Sequence, residues 1–118
     1  MTYRPFDIVI VPFPFTDTNE TKKRPAIVLS SERNFSNQVG HSVMAMITSA
    51  RNEPWALDTS ITNLQAAGLP KPSIIRMKLF TLDHRFIIKK IGQLNIKDQN
   101  NLRKSLKSVF SDFFNRHL

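Results

Sequence analysis

Apolar runs along this chain are short, and polar or Pro- and Gly-containing segments separate them. Asp7 to Val11 is almost wholly apolar and rich in β-branched residues, so it predicts a buried strand, with Pro12 and Pro14 ending its ladder. Thr16 to Thr21 carries polar turn chemistry and predicts a loop. Pro25 to Ser30 predicts a second strand, because proline is tolerated at a first strand position. Ser31 to Asn37 reads as a loop or a single helical turn. His41 to Thr48 gives a third strand, and Leu57 to Ile61 a weaker fourth. Beyond the break at Gly68-Leu69-Pro70-Lys71-Pro72, Ser73 to Leu79 and Phe86 to Leu94 predict two more, with Asp83-His84-Arg85 turning between them.

The period then changes. Leu102, Leu106, Val109, Phe110 and Phe113 fall at helical spacing and predict one apolar helix face, with Asn95 and Asp98 as its N-terminal cap. Short strands with tight breaks point to a mostly β fold, a small antiparallel barrel, rather than to βαβ units. The C-terminal α-helix is expected to lie as a lid on one end of that barrel. Repeats and interdomain linkers are absent from the sequence, and residues 1–118 are expected to form a single domain.

Composition narrows the function. The chain has 118 residues, 41% hydrophobic and 22% charged, an ordinary globular balance. No apolar run approaches the ~18 residues of a membrane span, and the N-terminus lacks the pattern of a signal peptide. A cytoplasmic protein without membrane contact is the expectation. With no cysteine, disulfides and thiolate chemistry are excluded. The net charge is +8, and its placement is uneven: residues 1–59 carry six basic and six acidic side chains, whereas residues 60–118 carry eleven and three. That asymmetry suggests a polyanionic partner, though a solvated basic surface fits it equally.

Candidate chemistry sits at strand ends. Lys22-Lys23-Arg24-Pro25 runs directly into Ala26-Ile27-Val28-Leu29, and Val43 to Ile47 ends in Thr48-Ser49. A guanidinium and a hydroxyl, each held by a strand, are suited to gripping and polarising a phosphate. His41, His84 and His117 have no ligand spacing, so no metal is expected, and no Gly-rich phosphate loop is present.

The order of these pieces resembles one family. Val11-Pro12-Phe13, Lys23-Arg24-Pro25-Ala26-Ile27-Val28-Leu29-Ser30, Ile47-Thr48-Ser49, Pro72-Ser73-Ile74-Ile75-Arg76, Thr81-Leu82-Asp83 and Ile91-Gly92-Gln93-Leu94 occur in sequence before the final helix. The chain is similar in this respect, from about Phe6 to Phe113, to the MazF/PemK (Kid) toxins of bacterial toxin–antitoxin pairs. The resemblance implies an SH3-like or CcdB-like barrel that forms a homodimer. It implies a metal-independent, cofactor-free endoribonuclease that cuts single-stranded RNA or mRNA, leaving a 2′,3′-cyclic phosphate. It also implies an acidic, partly disordered antitoxin, together with which such toxins bind DNA.

Carried over by position, Arg24 and Thr48 match the family's catalytic arginine and threonine. Ser49 stands ready to share the task of Thr48. Arg76 falls where relatives carry a functional arginine, and Lys78 stands where they usually have an acidic residue. With Lys22, Lys23 and Arg51, these residues are the expected RNA contacts. Trp55 reads as a base-stacking platform or as a core or dimer contact. Two alternatives stay open: a CcdB-like toxin that binds gyrase and cuts nothing, and a non-catalytic RNA-binding barrel.

Overall fold

The computed structural model describes residues 2–13 and 22–115. Its strands are β1 (Asp7–Phe13), β2 (Lys22–Val28), β3 (His41–Ser49), β4 (Thr59–Ser60), β5 (Ser73–Asp83) and β6 (Lys89–Gln93). They form one curled sheet in the order β4-β5-β3-β2-β1-β6, with every pairing antiparallel. A wide helical turn at Glu32–Ser36 runs into α1 (Asn37–Val39), and α2 (Leu64–Ala67) precedes β5. After β6 come α3 (Ile96–Val109) and the single turn α4 (Ser111–Phe114). The expected mostly β sheet with a C-terminal helix is the architecture adopted.

Alternation along β1, β2 and β3 explains why those runs are apolar throughout: both faces are covered. Ile8, Ile27, Ala45 and Ile47 point to one core, completed by Ile75 of β5, Leu94 and Leu102 of α3. Val9, Val11, Ala26, Val28 and Met44 point to the other, with Tyr3 and Leu82. Ile27 is fully buried, and Ile27→Ala would cost about 2–5 kcal/mol through lost burial and the cavity left behind.

The start of α3 is pinned. Asn95 caps it by accepting from the Asp98 amide at 3.0 Å. The buried Asp98 carboxylate accepts from the Thr62 amide at 2.7 Å and from its hydroxyl at 2.9 Å. The far end differs from expectation. Leu102 is buried and Leu106 half-buried, but Val109, Phe110, Phe113 and Phe114 are exposed. The helix breaks at Phe110, and the apolar stripe outruns the strands β4 and β5 on which α3 packs. Only its first half acts as a lid.

Boundaries moved where proline or register decided them. Pro12 does not end β1, which pairs with β2 through Pro12↔Lys23 and Phe13↔Lys22. Its missing N–H falls beyond the reach of β6, whose ladder covers only Asp7 to Ile10. Lys22 and Lys23 are therefore the first residues of β2 rather than loop residues. Pro14 and the polar loop Thr16 to Thr21 lie outside the described residues. The weak fourth strand shrinks to Thr59–Ser60, since Leu57 has a left-handed φ of 68° that interrupts extension. β5 continues past Leu79 to Asp83, while Phe86 belongs to a helical turn, so β6 starts only at Lys89. The unforeseen α2 ends at Gly68, whose φ of 75° and contact with the Ile91 backbone leave no room for a side chain.

Candidate nucleic-acid cleft

Proline chemistry opens the cleft. β2 is flanked by β1 and β3, yet its ladder with β3 covers only Ala26↔Met46 to Val28↔Met44. Pro25 has no N–H to continue it. β2 goes on beside β1 as far as Lys22, and β3 goes on beside β5 as far as Ser49↔Ser73, so the two strands part without a ladder between them. Continuing the β2–β3 register two residues past Ala26↔Met46 sets Arg24 across from Thr48, on the face that carries Ala26 and Met44 further along.

The space between is a cleft of about 270 Å³ lined by both residues. Phe13 and Met46 form apolar parts of its wall, while Arg76 and Lys78 of β5 bring two more cations. Between Ala45↔Leu79 and Met46↔Arg76 the register shifts, so Met77 and Lys78 form a bulge in β5 beside the cleft. Asn52 and Trp55 line the remaining side.

The two arginines differ in their bonding. Arg24 is half-buried, and among the described residues its guanidinium has no hydrogen bond or ion pair. Arg76 is 9% exposed and held on several sides. It donates from Nε and Nη2 to the two Asp58 oxygens at 3.3 and 3.1 Å, and from Nη2 to the Glu53 carbonyl at 2.6 Å. Its guanidinium also lies 4.8 Å from the Trp55 ring centre. Burial of Asp58 opposes its charge, but the Arg76 hydrogen bond, the Trp55 amide and the Arg76 charge outweigh it, and the pKa lies below its ordinary value.

Thr48 is oriented from one side. The Asn52 side-chain amide donates to Thr48 Oγ1, which leaves the hydroxyl proton free to donate elsewhere. Lys78 is exposed, with Nζ 5.2 Å from the Phe13 ring centre. No carboxylate or imidazole lines the cleft among the described residues.

Four of the eight sequence-expected residues thus meet here: Arg24, Thr48, Arg76 and Lys78. Ser49, one residue past Thr48, alternates to the other face and lines a separate hollow with Arg51 and Lys71. Its Oγ accepts from the Arg51 amide at 3.2 Å. Lys22 and Lys23 are exposed and line neither space. Sequence reasoning missed Asn52 and Asp58, which look like ordinary polar loop residues until the fold brings them to Thr48 and Arg76. Among the described residues, no three His, Asp or Glu side chains gather where they could hold a metal ion.

Residues 4–110 match the family described as PemK-like, MazF-like toxin of type II toxin-antitoxin system. The fold matches that of the Mycobacterium tuberculosis toxin MazF-mt6 with a TM-score of 0.69 and 20% identity, over 89% of this chain and 96% of that one. Deinococcus radiodurans MazF matches with a TM-score of 0.72 and 16% identity, over 94% of this chain and 98% of that one. A mycobacterial endoribonuclease in complex with its cognate antitoxin matches with a TM-score of 0.71 and 10% identity, over 93% and 94%. Comparison with curated proteins gave no match.

Proposed function

Because the chain belongs to the PemK-like, MazF-like toxins of type II toxin–antitoxin systems, we propose that it is a metal-independent endoribonuclease acting on single-stranded RNA. One observation carries the reading: a guanidinium without a partner among the described residues, Arg24, and a half-oriented hydroxyl, Thr48, line a single cleft. Arg24 and Lys78, neither paired with a carboxylate among the described residues, share that cleft with Arg76, whose charge Asp58 balances, so the cleft keeps a net positive charge that an anion relieves on binding.

In this reading the RNA's own 2′-oxygen attacks the adjacent phosphorus. The 2′-O–P bond forms, the P–O5′ bond breaks, and the products are a 2′,3′-cyclic phosphate and a 5′-hydroxyl. The 2′-hydroxyl proton passes to water, and water returns one to the departing 5′-oxygen. Arg24 forks onto the non-bridging oxygens as charge builds. Thr48 donates its free proton to the same phosphate. Arg76 braces the Trp55 loop and presents charge, and Lys78 adds attraction for the backbone. Lys22, Lys23, Ser49 and Arg51 extend the basic surface outside the cleft.

A cytoplasmic toxin of one domain, paired as a homodimer and held by an acidic antitoxin, completes the proposal. The exposed Phe113 and Phe114 and the +8 charge favour such partners. Incubation with mixed-sequence RNA in EDTA tests the reading. Fragments ending in cyclic phosphate are expected; intact RNA throughout would refute nuclease action. Among the described residues no carboxylate or imidazole lines the cleft, which favours one second reading, a barrel that binds RNA without cutting it, and the same assay separates the two when paired with a binding measurement.

A further inference from the structure

A second hollow, of about 440 Å³, lies between β4 and the first half of α3. Lys97, Asn101 and Lys104 project into it from one helix face, at spacings of four and three residues. Among the described residues neither lysine has an ion-pair partner. Ser105 Oγ accepts from Thr59 Oγ1 at 3.1 Å, so its own proton remains free, and Ser60 is exposed on the facing strand. The carboxylate in the lining, Asp58, is already engaged at both oxygens by Arg76 and by the Trp55 amide. Asp98, beside Lys97, is buried and held by Thr62. The hollow therefore offers ammonium, amide and hydroxyl donors and almost no free acceptor. That set suits an oxyanion and repels a cation.

We infer that this hollow is a second phosphate subsite, which takes a backbone phosphate of the RNA strand whose cleavage position lies in the cleft. The inference rests on the RNA-binding reading above. Asp58 links the two places, because it lines the hollow while holding Arg76, which lines the cleft. The Trp55–Asp58 segment runs from the lining of the cleft to that of the hollow, which gives the strand a path between them. Binding there is through phosphate and carries no base selectivity.

The test uses the full chain and non-cleavable 2′-O-methyl oligoribonucleotides of graded length, titrated at several salt concentrations. In the double variant Lys97→Gln/Lys104→Gln, the longest oligonucleotide should lose affinity. Its slope of log K against log salt should shrink by about 1.4, two contacts at about 0.7 each for a single strand. The shortest oligonucleotide should bind as before, and Lys107→Gln, on the same helix but outside the hollow, should leave the slope unchanged. An unaltered slope in the double variant, with wild-type RNA binding intact, overturns the subsite alone. Equal loss for all lengths, or for Lys107→Gln, reduces it to general surface charge and also overturns it. A variant that loses only a poly-glutamate peptide and keeps RNA would make the hollow a peptide site instead. Failure of the wild type to bind any RNA overturns this inference together with its parent reading.

Discussion

The two walls of the cleft are built on opposite principles. On the β5 side, Arg76 is buried, bonded to Asp58 and Glu53, and stacked against Trp55. On the β2–β3 side, Arg24 and Thr48 face each other past the end of a ladder, and Arg24 has no partner among the described residues. One wall is a finished network whose members satisfy each other. Among the described residues the other keeps its strongest donor unfilled, the arrangement expected of the proposed anion site rather than of a structural ion pair.

Removing Arg24 breaks the comparison on the free side. Arg24→Ala should slow RNA cleavage by about 10²–10³-fold, the usual effect of losing one preorganised donor to a developing oxyanion. Thermal stability should barely move, since that guanidinium has no hydrogen bond or ion pair to lose among the described residues; a large fall in Tm would place Arg24 in a hidden structural role. Arg76→Ala should do the reverse. Leaving Asp58 without its cation costs about 2–4 kcal/mol of stability, read from denaturant unfolding. The double change Asp58→Asn/Arg76→Met should recover part of that loss, because no buried charge is then left alone. Normal stability in Arg76→Ala would mean that the two walls do not differ as described.

Smaller effects sharpen the picture. Asn52→Ala frees Thr48 Oγ1 to rotate and should lower kcat about tenfold, with KM little changed, if Asn52 only orients the hydroxyl. A rise in KM alone would make it a substrate contact. The smallest effect concerns pH. Burial lowers the His84 pKa below its ordinary 6.5, against the pull of the neighbouring Asp83 carboxylate and with the help of His41. The folded state therefore favours neutral His84, and stability should decline as pH falls through 6.5, where the unfolded chain takes up the proton more readily. His84→Gln should flatten that decline in a Tm series from pH 7.5 to 5; an identical decline would assign it to other groups.

How much of this was legible in the sequence follows from what each feature depends on. The apolar runs of β1, β2 and β3 declared themselves because both faces of those strands are buried, and the Asn95–Asp98 cap is a local pattern. The meeting of Arg24 with Thr48 was expected from the family resemblance, and the registers on either side of Pro25 place both in one cleft. Proline misled at Pro12, since the cost of a missing N–H depends on whether a neighbouring strand exists, which is a tertiary fact. The aromatic end of the last helix misled for a similar reason: periodicity reports an apolar face but not whether anything covers Phe113. Asn52 and Asp58 carry no sequence signal, because their importance comes from partners 4 and 18 residues away that only the fold brings into contact.

The most direct measurement is single-turnover cleavage of one defined RNA by the wild type, Arg24→Ala, Thr48→Ala and the double variant, each verified as folded. If guanidinium and hydroxyl act as a unit on one phosphodiester, the double variant should lose far less than the product of the two single losses. Full-rate cutting by Arg24→Ala, or single losses that simply multiply in the double variant, would contradict it.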